Sequence, residues 1–242
     1  MTDSLVIIPT YNEIENIEAI VKAVFELQKE FDVLVVDDNS PDGTSEEVKK
    51  LQNQFPNKLF LEVRKEKAGL GTAYIHGFKW AIAKGYDYIY EMDADFSHRP
   101  DDLPRLYRAC LNGADVAIGS RYKRGVNVVN WPLYRILLSY GASFYVKFIT
   151  GMRIHDPTAG FVCYKRKVLE DIDLDSIKFI GYAFQIEMKF RAYLKKYKIE
   201  EVSIIFRDRE KGKSKMSSSI VREGIFGVFK MKIWSLFRKH KF

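Results

Sequence analysis

The sequence predicts an α/β fold, with a mainly parallel central sheet and helices on both of its faces, and three observations carry that prediction. Short β-branched runs alternate with longer helical patterns through the first 120 residues, the mark of βαβ units. The 242 residues are 47% hydrophobic and 29% charged, enough for one sizeable core, and no Pro/Gly/Ser-rich linker divides them. Acids, an aromatic residue and a guanidinium recur at the predicted strand ends, the edge where open α/β sheets bind ligands.

The elements follow in order. LVIIPT (5–10) reads as a first strand and not as a signal peptide, because no basic segment precedes it and Pro9 comes too early. A helix over 13–30, the strand VLVVDD (33–38), a helix over 44–54 and the strand LFLEV (59–63) come next. A helix over 70–84, the strand YDYIYEMDAD (86–95), a helix over 102–112 and the strand DVAIGSR (115–121) complete the alternating part. Beyond it lie a long apolar helix (131–150), the loop HDPTAGF, a strand (161–164), a helix (183–196), a strand (199–206) and a last helix (220–237). The longest apolar segment, 136–146, falls short of the roughly 18 residues that span a bilayer, so no integral membrane span is expected. Cys110 and Cys163 lack metal-type spacing and sit in apolar surroundings, which reads as buried free thiols in a reducing, cytosolic setting.

The net charge of +7 points to an anionic partner: nucleic acid, an anionic membrane or a phosphate-bearing substrate. No sheet face interleaves aromatic and basic residues, which argues against nucleic acid. Most of the excess lies from Arg191 onward. There Arg207, Arg209, Lys211, Lys213 and Lys215 alternate with other residues, so an extended backbone projects five cations to one side, as a phosphate-facing loop or as a solvated hairpin. The last helix gathers Ile225, Phe226, Phe229, Ile233, Leu236 and Phe237 on one arc, with basic residues away from its centre and Trp234 off it. That pattern suits a membrane surface, and equally packing on the chain's own domain.

Asp93 and Asp95 carry the sharpest chemistry. Two carboxylates that close repel by about 4 kcal/mol at roughly 4 Å and an effective dielectric near 20. At a strand end both can face one hard divalent cation, Mg²⁺ or Mn²⁺, whose remaining positions suit water and a nucleotide diphosphate. Asp37-Asp38 after VLVV suits ribose hydroxyls or base N–H groups, or an ordinary turn. EKAGLGT (66–72) matches no complete phosphate-loop pattern and reads as a tight helix entry approached by substrate. His76, His98, His155 and His240 share no ligand spacing and read as surface or core residues.

IIPTYNE, VVDDNSPDGT, EMDADFSHRP, IGSRY, NWPLYR and DPTAGF, in this order and spacing, resemble the family 2 glycosyltransferases of GT-A (Rossmann-like) fold. Within that family they are similar to the polyprenol-phosphate (dolichol-phosphate) mannose synthases, in the short form without a transmembrane domain. The similarity runs over about residues 4–216 and implies a catalytic domain over 1–216 followed by a basic amphipathic helix over 217–242. By the resemblance, Pro9, Tyr11, Glu13, Val36 and Asp38 hold the guanosine of GDP-mannose, and Asp93, Ala94 and Asp95 bind the diphosphate and the metal. Ser97 stands where some relatives carry Gln, as a weaker metal ligand. Arg121, Arg135, Arg209 and Lys215 engage phosphates, and Asp95, Arg121, Arg135 and Arg209 form the catalytic set.

The activity implied is inverting transfer of one mannose to a polyprenyl or dolichyl monophosphate. No Q-x-x-R-W of processive synthases is present, since Gln185 is followed by Ile-Glu-Met-Lys. The partners implied are GDP-mannose, the lipid phosphate, an anionic membrane surface and a membrane anchor protein, with the enzyme peripheral on the cytoplasmic face. Two alternatives stand beside this reading: transfer of glucose or an aminosugar from a UDP-linked donor to the same lipid, and a non-catalytic nucleotide-binding protein.

Overall fold

The computed structural model describes residues 2–181, 183–208 and 218–237. Its centre is β1 (Ser4–Thr10), flanked in parallel by β2 (Asp32–Asp37) and β4 (Tyr88–Glu91). With β3 (Leu59–Val63), β5 (Val116–Ser120), β7 (Val162–Lys165) and β8 (Ile199–Ser203) it forms a seven-stranded sheet of order β3-β2-β1-β4-β7-β5-β8. The expected mainly parallel sheet is what forms. The exception is β7, which runs antiparallel to both β4 and β5; an apolar run such as VCYK carries no mark of its direction. A separate two-stranded ribbon joins β6 (Val128–Val129) to β9 (Phe206–Arg207).

The period of two along β1 divides the core between the sheet's faces. Leu5 and Ile7 face α3 (Leu70–Lys84), α6 (Arg166–Asp171) and α7 (Ala183–Leu194), in one buried apolar cluster. Val6 and Ile8 face α1 (Ile17–Phe25), α2 (Thr44–Gln52) and α4 (Leu103–Leu111) in another. Cys110 and Cys163 are buried and free within the second cluster.

The helix expected over 13–30 is confined to Ile17–Phe25 because residues 11–13 are committed elsewhere. Asn12 is left-handed at φ 57°, and the Glu13 N–H donates to the Thr44 hydroxyl at 3.0 Å. The strand expected over 199–206 is broken between β8 and β9, and the latter pairs with β6 instead.

Two helices have their apolar sides outward. In α5 (Leu133–Thr150) the buried residues are Ser143, Val146 and Thr150, while Leu133, Leu137, Leu138, Phe144 and Phe148 are each more than 60% exposed. In α8 (Ser218–Phe237), which packs on α5 and α7, the buried residues among the described side chains, 226–237, are Gly227, Val228 and Met231. Gly227 lies so close to Phe179 that a Cβ would stand 2.7 Å from the ring, and Trp234 stacks on the same ring at 6.2 Å. The arc of Phe226, Phe229, Ile233, Leu236 and Phe237 is therefore exposed. Own-domain packing and an outward apolar face coexist on one helix. No helix among the described residues is long and apolar enough to cross a membrane.

Candidate active site

The strand ends of β1, β2 and β4 meet where the strand order reverses on either side of β1, the place where open α/β sheets bind ligands. Their tips are fixed by side-chain bonds. Thr10 Oγ1 donates to Asp37 Oδ1 at 2.7 Å, and the Ser40 N–H and hydroxyl donate to the same carboxylate at 2.9 and 2.6 Å. Asp37 is thus wholly buried and ties β1 to β2, and Asp38 beside it is also buried. Arg64 Nε donates to Asp38 Oδ1 at 2.6 Å and Arg64 Nη1 donates to Thr72 Oγ1 at 2.7 Å, which clamps the entry of α3 to the β2 tip. Burial raises the Asp38 pKa, and the Arg64 guanidinium offsets part of the rise. The EKAGLGT segment is a helix entry: Gly69, at φ 102°, precedes α3, and the Gly71 N–H donates to the Ile180 carbonyl at 2.8 Å.

A cleft of about 470 Å³ opens beside these tips. Among its walls are eight of the expected residues: Pro9, Glu13, Asp93, Ala94, Asp95, Ser97, Arg121 and Arg135. Tyr11 and Asp38 stand outside the lining, Tyr11 beneath the Lys67 ammonium, which sits 4.3 Å from its ring centre. The Val36 side chain is sealed in the core and does not line the cleft. Arg209 and Lys215, with most of the cationic comb, lie outside the described residues.

Past the end of β4 the chain turns sharply, and Phe96 adopts φ 60°, a left-handed conformation uncommon for a bulky side chain. The turn brings the Ser97 N–H to Asp95 Oδ1 at 3.1 Å, and the Asp93 N–H donates to His98 Nδ1 at 3.2 Å. His98 is buried and stacks on Phe161 at 5.0 Å, so its ring is a fixed acceptor that holds the Asp93 backbone. The expected core role of His98 is what is found, and it serves the carboxylate loop. Ser97 Oγ is buried and makes no hydrogen bond to any described residue.

The same cleft is also lined by cationic and aromatic residues. Arg121, at the end of β5, is 5% exposed, and its Nε and Nη2 donate to the two Asp156 oxygens at 2.7 and 2.6 Å. Nη2 also donates to Thr158 Oγ1 at 2.8 Å. Burial alone would raise the Asp156 pKa, but Arg121 outweighs it and holds the carboxyl below the usual range. Asp156 N–H donates in turn to Glu201 Oε1 of β8 at 2.9 Å. Arg135, in the first turn of α5, donates to Asp208 Oδ2 at 2.8 Å and packs 4.1 Å from the Trp131 ring centre. The Trp131 ring packs against both arginines and Phe206 against Arg121, and both rings line the cleft. The motif reading contained Trp131, Asp156 and Thr158 within NWPLYR and DPTAGF, and Lys67 within EKAGLGT, without a role for each; Phe206 and Asp208 were given none.

A parallel sheet with paired carboxylates at its switch point and guanidinium groups across one cleft defines the class as a GT-A glycosyltransferase. Residues 5–173 match the model of glycosyl transferase family 2, and the chain belongs to that family. It is 48% identical over 225 residues to the polyprenol monophosphomannose synthase of Mycolicibacterium smegmatis, across 93% of this chain and 85% of that protein. It is 46% identical over 224 residues to the undecaprenyl-phosphate mannosyltransferase of Micrococcus luteus, across 93% of this chain and 91% of that protein. In fold it is similar to a mannosyltransferase of Pyrobaculum calidifontis solved with GDP-Man and Mn²⁺. The TM-score is 0.62 at 18% identity, over 98% of this chain and 64% of that one. The family resemblance read from the motifs is borne out.

Burial lowers the pKa of His98 to about 4, with Arg121 adding to the shift and Asp95 opposing it. A free imidazole titrates near about 6.5, so the fold favours the neutral ring. Its contribution to stability is present above about pH 6.5 and is lost as the pH falls toward about 4. Thermal unfolding of the protein and of His98→Gln between pH 7.5 and 4.5 (about that window) checks this. The wild-type midpoint is expected to fall toward that of the variant, and parallel curves would refute the assignment.

Proposed function

We propose that the protein transfers mannose from GDP-mannose to a polyprenyl (dolichyl-type) monophosphate, giving polyprenyl-phosphate β-mannose and GDP. The observation that carries this is one cleft lined both by a carboxylate pair and by Arg135, which stands on a helix whose apolar side chains are exposed. The names of the two relatives support both the sugar and the lipid phosphate.

Asp93 and Asp95 would hold Mg²⁺ or Mn²⁺, with the Ser97 hydroxyl, which has no partner among the described residues, available directly or through water. No group of three or more His, Cys, Asp or Glu among the described residues forms a metal cage. Two carboxylates with the remaining positions left to water and diphosphate suit magnesium, so the residues fit the ion. When bound, the cation neutralises the diphosphate and the charge that develops on departing GDP. The chain's own residues do the rest. Pro9, Tyr11, Glu13 and Asp38 cradle the nucleoside at the β1 and β2 tips, with Val36 behind them. Arg121 and Arg135, joined by Arg209 and Lys215, hold the acceptor phosphate by charge-assisted hydrogen bonds and turn one oxygen toward the anomeric carbon. That oxygen is already anionic at neutral pH, so the attack requires no general base.

Residues 1–216 form the catalytic domain in this proposal, and 217–242 a basic amphipathic segment. The exposed arcs of α5 and α8 support peripheral attachment on the cytoplasmic face of a membrane, with the isoprenoid entering beside α5. The chain supplies this attachment itself, and an anchor protein is not part of the proposal.

Labelled mannose transfer from GDP-mannose in detergent, with either polyprenyl phosphate or the free polyprenol as acceptor, tests the reaction. Transfer to the phosphate alone is expected; efficient transfer to the alcohol would require a base and refute the mechanism. Asp95→Ala should abolish transfer and remove the dependence of GDP-mannose affinity on Mn²⁺, which calorimetry reads.

Phe226→Ser and Phe229→Ser on α8, combined with Phe144→Ser and Phe148→Ser on α5, should greatly reduce co-sedimentation with anionic liposomes while leaving the melting temperature within a few degrees, since all four side chains are exposed. Undiminished co-sedimentation would exclude these helices as the attachment surface.

A further inference from the structure

We infer that Lys67 sets the preference for guanine in the donor: its ammonium donates to O6 and N7 of the base, while the Asp38 carboxylate accepts from N1–H and the 2-amino group. The inference rests on the guanosine reading proposed above and adds to it the residue that reads the acceptor edge of the base.

Lys67 lies between β3 and α3 in the EKAGLGT segment, is exposed and lines the cleft. Arg121 and Arg135, the guanidinium groups of the same lining, are each committed to a carboxylate, Asp156 and Asp208. Lys67 is not. No described residue forms an ion pair or a hydrogen bond with its ammonium, which rests 4.3 Å from the centre of the Tyr11 ring. A cation on an exposed aromatic face is held weakly, so all three of its protons are available to a ligand.

Tyr11 and Asp38 stand outside the cleft lining, and Lys67 is the lining residue that connects them to it. The ammonium is near enough to Asp38 to favour the charged carboxylate, after the larger effects of burial, Arg64 and Asp37, yet no ion pair joins the two. Arg64 holds Asp38 Oδ1 and leaves the other oxygen uncommitted. No described residue donates to Oδ2, and it does not count among the sealed oxygens without a partner, so it keeps access to solvent.

Guanine is the base whose edges match such a pair. Its N1–H and 2-amino group donate side by side, and O6 and N7 accept side by side next to them. A carboxylate and an ammonium that are neighbours without touching can take one set each, and lysine on O6 and N7 is a common specific contact to guanine. Adenine places an amino group where guanine has O6 and so turns a donor toward the ammonium. Uracil has one carbonyl there and no N7. UDP-linked sugars therefore meet only part of this arrangement. A diphosphate oxygen would also attract Lys67, and the experiment separates the two roles.

Calorimetry on the full-length protein with Mn²⁺ reads the Kd of GDP, UDP and 7-deaza-GDP, whose base lacks the N7 acceptor. Lys67→Met should weaken GDP binding by about 5- to 50-fold and UDP binding by less than about threefold. 7-deaza-GDP should bind the wild type more weakly than GDP does, and should bind Lys67→Met as tightly as GDP does. Lys67→Arg, which keeps paired donors, should retain the preference for GDP. Because the side chain is exposed, the melting temperature should stay within about 2 °C, so lost affinity is not lost folding.

Unchanged GDP affinity in Lys67→Met, an equal loss for GDP and UDP, which would make Lys67 a phosphate ligand, or a 7-deaza penalty of the same size in variant and wild type would each overturn the inference. A wild type that bound UDP more tightly than GDP would instead overturn the guanosine reading, and this inference with it.

Discussion

The buried ion pair between Arg121 and Asp156 is the interaction on which the rest of the site depends. It joins the end of β5 to the loop after α5 through two side-chain bonds, and the Arg121 N–H donates to Asp156 Oδ2 at 2.9 Å as a third. Glu201 of β8 extends the chain by accepting from the Asp156 and His155 N–H groups. A guanidinium and a carboxylate with exposures of 6% and 0% lose most of their hydration, and such a pair roughly breaks even against apolar packing of the same volume. Its retention is explained better by geometry than by stability. The pair fixes where Arg121 stands relative to Trp131, Phe206 and the carboxylate loop, and so gives the cleft one shape.

A second buried pair supports another part of the wall. Glu187 and Arg191, one turn apart on α7, are both buried, and Arg191 Nη2 donates to Glu187 Oε1 at 2.7 Å. Glu187 also accepts from the Lys178 and Phe179 N–H groups, and Arg191 donates to the Ser176 hydroxyl and carbonyl. These bonds hold the segment that leads to Ile180 and Gly181 in the cleft wall, and they present Phe179 to α8. The helix with the outward apolar arc is thereby seated by the element that shapes the site, which links the surface proposed to meet lipid with the cleft proposed to meet its phosphate.

Most of the sheet and the carboxylate pair were legible in the sequence because their signals are local. Alternating β-branched runs, a strand tip ending in Asp93-Ala94-Asp95 and a glycine at the helix entry need only neighbouring residues to be read. What was not legible depends on distant partners. Asp156 lies 35 residues from Arg121, and nothing in the DPTAG segment says which cation it meets. The direction of β7 is set by its neighbours β4 and β5, and the outward arc of α8 by Gly227, the small residue that lets the helix seat on Phe179 with its other face. An apolar arc alone does not say whether it meets core or surroundings.

The measurement that reaches the central claim most directly compares Asp156→Asn with the double replacement Arg121→Met/Asp156→Leu, by chemical denaturation and by mannose transfer on the same preparations. The single change leaves Arg121 buried without its counter-charge and is predicted to cost about 3–5 kcal/mol. The double change is predicted to recover most of that stability and still to transfer no mannose, because the pair is kept for the position of the guanidinium in the cleft. A double variant that transferred mannose at the wild-type rate would contradict the account.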